Sequence, residues 1–331
     1  MPKVKNYPPN APASLKLKRI AVHYAGSVIR SIISPIYSQF VEKVPYQDGI
    51  SANILTKNDI WIRESIESIK DFVDEFIIID SSDEDYYQRN AKLFKELRLK
   101  NIQHIRKEID IYSARVLSHS MSKYRWILHW DGDMVALDSG KNDISNLFKR
   151  LKTISGKKTY YEIYFPLAIT GSTIEKMSTQ GYQVEPWIYS NCDKFKWELK
   201  KLGKSGNASI ERAKFPLFYR KIYLNTVYGM HLKYLFPIEK LITKKVQYLW
   251  MNPDIREKYS SFRDFIEYYK KRISVDDLIS DFCDLDETNM GKMPKLLEPY
   301  VGLDHESIVN KKLKRDGLPN YEMGSGIKLN P

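Results

Sequence analysis

Between residues 50 and 130 the chain repeats one pattern: a short apolar run, a polar stop, then a stretch with helical spacing. Ile50 to Leu55 is apolar enough for a strand and stops at Thr56-Lys57-Asn58-Asp59, where Asn58 or Asp59 can cap a helix carrying Ile62, Ile66 and Ile69. Phe76 to Ile79 reads as a buried strand ending in Asp80-Ser81-Ser82-Asp83, with a helix over residues 84–98 behind it. A third strand at Ile102 to Ile105 precedes a helix over Tyr112 to Met121, and Trp126 to Trp130 makes the fourth strand. Strands alternating with helices of this length imply βαβ units and a largely parallel sheet. Ligands of such sheets bind beyond the carboxyl ends of the strands, so Thr56, Asp80 and Asp131 aim polar groups at one rim.

The fourth strand runs into Asp131-Gly132-Asp133. Two carboxylates spaced by one glycine can converge on a hard divalent cation, Mg²⁺ or Mn²⁺, which takes oxygen ligands and bridges to phosphate. An Asp-x-Asp by itself is also ordinary turn material; its place at a strand end gives it weight. Asp80 can instead cap the next helix, Arg115 can be a solvated helix residue, and His129, between Trp126 and Trp130, reads as a packed core histidine.

These elements resemble the opening of the family 2 glycosyltransferases. The likeness is carried by Ser51-Ala-Asn-Ile-Leu-Thr-Lys-Asn-Asp-Ile60, Glu64-Ser-Ile-Glu-Ser-Ile69, Val73-Asp-Glu-Phe-Ile-Ile-Ile-Asp80, Ser113-Ala114-Arg115 and Asp131-Gly132-Asp133. It covers residues 49–138 well and continues more loosely to residue 250. It implies a GT-A (Rossmann-like) fold of the nucleotide-diphospho-sugar transferase kind, a mixed, mostly parallel sheet flanked by helices. It also implies a nucleotide-diphosphate sugar donor and a Mn²⁺ or Mg²⁺ ion on the diphosphate. Carried over, Thr56 lies against the base through its backbone, with Asn58 beside it in the donor site, and Asp80 bonds the base or ribose. Arg115 lies near the nucleotide or its phosphates, Asp131 touches the ribose or the ion's water shell, and Asp133 ligates the metal. Val116 stands where Asn is usual after Ala-Arg, and Ser81-Ser82 replaces the usual second Asp or Gly-Ser; both departures bear on the nucleotide contacts.

Later residues extend the expected site. His231, in Tyr228-Gly229-Met230-His231-Leu232-Lys233 after a strand at Phe218 to Leu224, matches a late histidine that completes the ion's shell in some metal-dependent GT-A enzymes; otherwise it is a loop-to-helix residue before Pro237. Lys233 or the Lys244-Lys245 pair can neutralise a departing diphosphate. An inverting transfer needs a carboxylate to take the acceptor's proton. Glu185, Asp193 and Glu198 follow a strand at Tyr160 to Pro166, and Glu185 is preferred because Pro186 and Trp187 suggest a fixed, partly desolvated place. The plainer reading of Glu185 is an acid in an acceptor loop. Trp187 and Trp197 are either sugar-stacking or core residues.

The boundaries expected are a basic N-terminal extension over 1–47, a catalytic domain over 48–250 (nucleotide half 48–138, acceptor half 139–250) and a helical C-terminal appendage over 251–331. Residues 1–47 carry seven Lys or Arg against one acid, and the chain's formal net charge is +12. No nucleic-acid motif accompanies that charge, so no nucleic-acid partner is expected. Ile20, Tyr24, Val28, Ile32, Ile36 and Phe40 recur every fourth residue, an amphipathic helix interrupted at Pro35. It either packs on the catalytic domain, the preferred reading, or lies on an anionic membrane surface; His23, Arg30 and Pro35 exclude a span. Two cysteines, Cys192 and Cys283, form neither a disulfide framework nor a zinc pattern, which suits the cytoplasm or the cytoplasmic face of a membrane. The N-terminus lacks the apolar core of a signal peptide.

The expected function is transfer of a sugar to a glycan, lipid-linked or protein-linked acceptor. The alternatives are a sugar-nucleotide nucleotidyltransferase, against which the glycine-free loop Thr56–Asp59 speaks, and a non-catalytic glycan-binding scaffold of the same fold.

Overall fold

The structure, a computed structural model, describes residues 13–14, 46–154, 160–192, 195–202, 208–214, 220–250, 253–273, 275–279, 281–285 and 290–318. The expected amphipathic helix over residues 20–40 and the candidate base Asp193 lie outside the described residues.

The first half follows the strand–helix alternation. The elements are β1 (Gln47–Thr56), α1 (Ile62–Glu67), β2 (Glu75–Asp80), α2 (Glu84–Glu96), β3 (Ile102–Arg106), α3 (Ile111–Met121), β4 (Tyr124–His129) and β5 (Met134–Ala136). β2 is buried at all six positions, as a strand covered on both faces must be. After α4 (Ile144–Ile154) come β6 (Tyr161–Thr170), β7 (Lys176–Ser190), β8 (Lys196–Leu202), β9 (Ala208–Lys214), β10 (Arg220–Tyr223) and β11 (Gly229–His231). The rest is α5 (Ile238–Trp250), α6 (Pro253–Arg256), α7 (Phe262–Lys270), α8 (Val275–Leu278), β12 (Asp281–Asp284) and α9 (His305–Asp316).

One sheet runs β3-β2-β1-β4-β7-β6-β11-β5, with β10 on β6 and β12 on β7. β3, β2, β1 and β4 are mutually parallel, β7 is antiparallel to both β4 and β6, and β11 is parallel to β6. The chain order reverses at β1, which has β2 on one side and β4 on the other. In open α/β sheets ligands bind beyond the carboxyl ends of the strands at such a reversal, which here is the edge carrying Thr56 and Asp131. β8 and β9 pair only with each other, as a separate two-stranded sheet. They lie within the expected acceptor half, residues 139–250.

Two large apolar clusters flank the main sheet. One joins β1, α1, β4, α4 and β6 through Ile54, Ile66, Leu128, Phe148 and Phe165. The other brings Trp61, Val135, Met230 and Phe236 together with Phe265, Tyr300, Ile308 and Leu313. Residues 253–318 thus share a core with the start of α1 and with β5 and β11. Among the described residues, no helix is long and apolar enough to cross a membrane.

Candidate functional site

The rim is built by strand ends held in register by the backbone. The Gly132 N–H donates to Leu55 O at 3.3 Å, and Ser65 Oγ donates to Asp131 O at 2.9 Å. These bonds fix the turn after β4 over the end of β1. Gly132 lies so close to Asp59 that an added Cβ would stand 2.8 Å from its Oδ2, and glycine is required there for that close approach.

The turn sends its two carboxylates different ways. Asp131 turns to α3, where Arg115 Nη2 donates to its Oδ1 at 2.9 Å. Asp133 precedes β5, which pairs with β11, and the Leu232 N–H donates to Asp133 O at 2.8 Å. This register sets His231 Nε2 3.3 Å from Asp133 Oδ1, while Lys244 Nζ stands 3.8 Å from Oδ2. Burial raises the Asp133 carboxyl's proton affinity, but His231, Lys244 and Lys240 outweigh it and hold the pKa far below the usual carboxylate range. His231, 98 residues from Asp133, is thus the last residue of a strand and not a loop residue before a helix.

The His231 ring is oriented from behind. Its Nδ1 lies 2.8 Å from Gln183 Oε1, an acceptor, so Nδ1 carries a proton and Nε2 faces Asp133. At that separation either a proton on Nε2 or a cation can lie between the two atoms. Adjacent ligands of an octahedral ion with bonds of about 2.1 Å lie about 3 Å apart, so the pair fits Mn²⁺ or Mg²⁺. Among the described residues, no group of three or more His, Cys, Asp or Glu side chains gathers to hold an ion. Two protein ligands still suffice for ions that keep waters and substrate phosphates in their shell. Asp131, expected as a metal ligand, is committed to Arg115 and does not join Asp133 and His231.

Gln183 also donates from Nε2 to Glu185 Oε1 at 2.7 Å. A polar chain therefore runs Asp133–His231–Gln183–Glu185. Gln183 escaped the sequence reading, although its two-residue spacing from Glu185 puts both on one face of a strand. Glu185 is exposed on β7, so the expected desolvation is absent. The reason is that Trp187 turns into the core, where its Nε1 donates to Phe165 O. Trp197 stacks on His129 with ring centroids 5.0 Å apart and planes at 9°. His129 is itself buried and paired with the Tyr189 hydroxyl. Glu198 is exposed on β8.

Basic residues surround Asp133 and His231. Lys233 Nζ donates to Gln180 Oε1 at 2.8 Å, and burial and Lys244 lower its pKa. Lys240 and Lys244 lie over the Phe236 ring at 4.0 and 4.3 Å from its centroid. Lys240 is buried and donates to Lys57 O, Asn58 O and Asp59 Oδ1 at 3.1, 2.6 and 2.8 Å. Neither Asn58 nor Asp59 caps α1. Asn58 sits at φ 52°, where asparagine is among the tolerated residues, and Asp59 accepts from Thr56 Oγ1 and Lys240. Thr56 O takes the Ser81 N–H at 2.9 Å.

Asp80 is fully buried and its oxygens are occupied. Oδ1 accepts the Ser82 N–H, and Oδ2 meets Asn90 Nδ2 and His104 Nε2, each at 2.9 Å. Burial raises its pKa, and these bonds reverse the shift to a net lowering. Its side chain holds the 80–83 turn from inside and does not open onto the rim.

No family profile matches this sequence, and no curated protein sequence matches it. Among solved structures, S. aureus TarS 1-349 matches at 12% identity over 60% of this chain and 64% of its own, with a TM-score of 0.37. A putative glucose-1-phosphate thymidylyltransferase from Bacillus anthracis, in complex with a sucrose, matches at 10% over 44% and 72%, with a TM-score of 0.31. The inositol-1-phosphate CTP transferase from T. maritima matches at 11% over 44% and 71%, with a TM-score of 0.30. The chain spans less than two thirds of the TarS structure's length. Nothing about the reaction follows from likenesses this remote.

Proposed function

We propose that the chain is a metal-dependent glycosyltransferase of the family 2 type. It moves a sugar from a nucleotide-diphosphate donor to a glycan, lipid-linked or protein-linked acceptor with inversion. The observation that carries this reading is the Asp133–His231 pair, 3.3 Å apart at the open end of the sheet with Lys244 beside it.

Asp133 and His231 would hold Mn²⁺ or Mg²⁺, and the ion when bound would offset charge on the donor's diphosphate. Thr56, Asn58 and the turn after Asp80 form the wall for the nucleoside. Arg115, steadied by Asp131, presents its planar guanidinium to the ribose or phosphates. Lys233 and Lys244 stabilise the negative charge that grows on the leaving diphosphate as the anomeric C–O bond breaks. Glu185 takes the proton of the acceptor hydroxyl as the new glycosidic bond forms. Its exposure leaves it open to an incoming alcohol, and Gln183 keeps it aligned with the metal pair.

Thermal shift with nucleoside diphosphates and their sugars, with and without Mn²⁺, tests the reading. A ligand that binds only the folded state raises its apparent stability. Stabilisation by one diphosphonucleoside that requires Mn²⁺ is the expected result. An equal response to nucleoside triphosphates, with pyrophosphate released, would make the chain a nucleotidyltransferase instead. Once a donor is known, Glu185→Gln is expected to lower kcat by about 10²–10⁴-fold, the range of general base catalysis, with donor affinity unchanged. Wild-type kcat in that variant would remove Glu185 from the mechanism.

A further inference from the structure

A second ionic cluster lies apart from the metal pair and plays no part in the reaction described. Lys312 in α9 is fully buried and reaches Glu64 of α1 and Asp316 of its own helix, each at 2.6 Å. Arg315 adds an ion pair to Glu64, and Arg89 of α2 adds one to Asp316. Trp61 and Tyr300, edge to face with centroids 5.1 Å apart, lie beside it. Burying so many charges is a poor route to stability, since apolar side chains of equal size serve as well or better.

The geometry of Arg89 suggests another use. One guanidinium nitrogen is held by Asp316, and the other donates to Asn90 Oδ1 at 2.9 Å. Asn90 donates to Asp80, and Asp80 accepts the Ser82 N–H. Ser82 Oγ accepts the Asn58 N–H at 2.7 Å, and Asn58 O accepts Lys240. A continuous series of hydrogen bonds thus leads from the C-terminal helix to the loop after β1. Asn58 and Asp83 close that loop on the next, through Asn58 Nδ2 to Asp83 Oδ2 at 2.7 Å and the Asp83 N–H to Asn58 Oδ1 at 2.9 Å.

We propose that Arg89, anchored by Asp316 of α9, is a positioning residue that sets the shape of the nucleoside wall through Asn90 and Asp80. This rests on the donor reading above. A planar fork with two separate partners suits the role, and a lysine ammonium cannot reproduce it. The C-terminal helix then governs donor affinity without touching the donor.

The test compares wild type, Arg89→Lys and Leu151→Ala; the last opens a cavity in the α4 side of the core and serves as a destabilised control. Two readouts are needed: amide hydrogen exchange at Ser82 and Asn58 without ligand, and calorimetric affinity for UDP, GDP, CDP and ADP with Mn²⁺. In Arg89→Lys both amides should exchange faster and the affinity of the bound nucleotide should fall about tenfold, as for one lost charge-assisted hydrogen bond. Leu151→Ala should change neither selectively. If Arg89→Lys does not fold, Asn90→Ser breaks the same series while leaving the ion cluster intact. Unchanged exchange in the folded variant overturns the proposal, as does faster exchange with unchanged affinity. If the wild type binds none of the nucleotides, the donor reading fails and takes the proposal with it; the exchange data then show separately whether the mechanical link exists.

Discussion

Asp133→Ala is expected to abolish the Mn²⁺-dependent part of nucleotide binding and to slow sugar transfer by about 10³-fold, the several kcal/mol that metal assistance supplies. Among the described residues, the register of β5 on β11 brings Asp133 and His231 together at the rim as a candidate ligand pair. Removing the carboxylate leaves a single imidazole, too weak alone to hold a hard ion against water. Asp131→Asn should do much less to metal dependence, because Asp131 serves Arg115. Its effect should fall on nucleotide affinity with or without the ion. Calorimetric titration of the nucleotide at several Mn²⁺ concentrations separates the two. A wild-type response to Mn²⁺ in Asp133→Ala would end the metal assignment, whatever the chain's activity. Equal losses in both variants would mean that the two carboxylates act as one site after all.

The contrast between the two acids also shows where the sequence is readable. The strands are legible because a parallel sheet covered on both faces leaves unbroken apolar runs, as at Phe76–Ile79. Asp131 and Asp133 are legible because they end such a run. Their division of labour is not, since it depends on α3 delivering Arg115 to one and β11 delivering His231 to the other. His231 is singled out by a resemblance and not by spacing, because the pairing that brings it near Asp133 is long-range. Asp80 drew attention for the right reason, its place at a strand end, but the sequence could not reveal that Asn90 and His104 occupy its oxygens. Glu185 is singled out by neighbours that do not desolvate it: the register of β7 on β6 shifts between Pro186 and Ile188, and at this bulge Trp187 is buried while Glu185 stays exposed. The C-terminal ionic cluster was hidden because Lys312 and Asp316, four apart on a helix, look like an ordinary surface pair.

Lys240 was hidden in the same way, and Lys240→Met is expected to cost about 3–5 kcal/mol of stability near pH 7, as loss of one partner from a buried ion pair does. A lysine on a helix reads as a solvated charge, yet this one lies beneath the loop after β1 and donates to two carbonyls and Asp59. Methionine fills the space but leaves those three acceptors without their ammonium. The loop they belong to is the proposed nucleoside wall, so nucleotide affinity should fall together with stability. The pH dependence separates burial from pairing. Burial pulls the Lys240 pKa down to about 8 from 10.5, with Asp59 opposing the shift. Between those values the unfolded chain holds a proton that the folded chain has released, so this group makes folding more favourable as pH rises. Urea unfolding of both proteins from pH 7 to 10.5 should therefore show the wild type gaining on Lys240→Met through that window, while titrations common to both cancel. A gap that narrows instead would mean that Asp59 and the two carbonyls hold the ammonium charged beyond the lysine's ordinary range. Lys240 would then be a permanent positive charge beneath the proposed nucleoside wall.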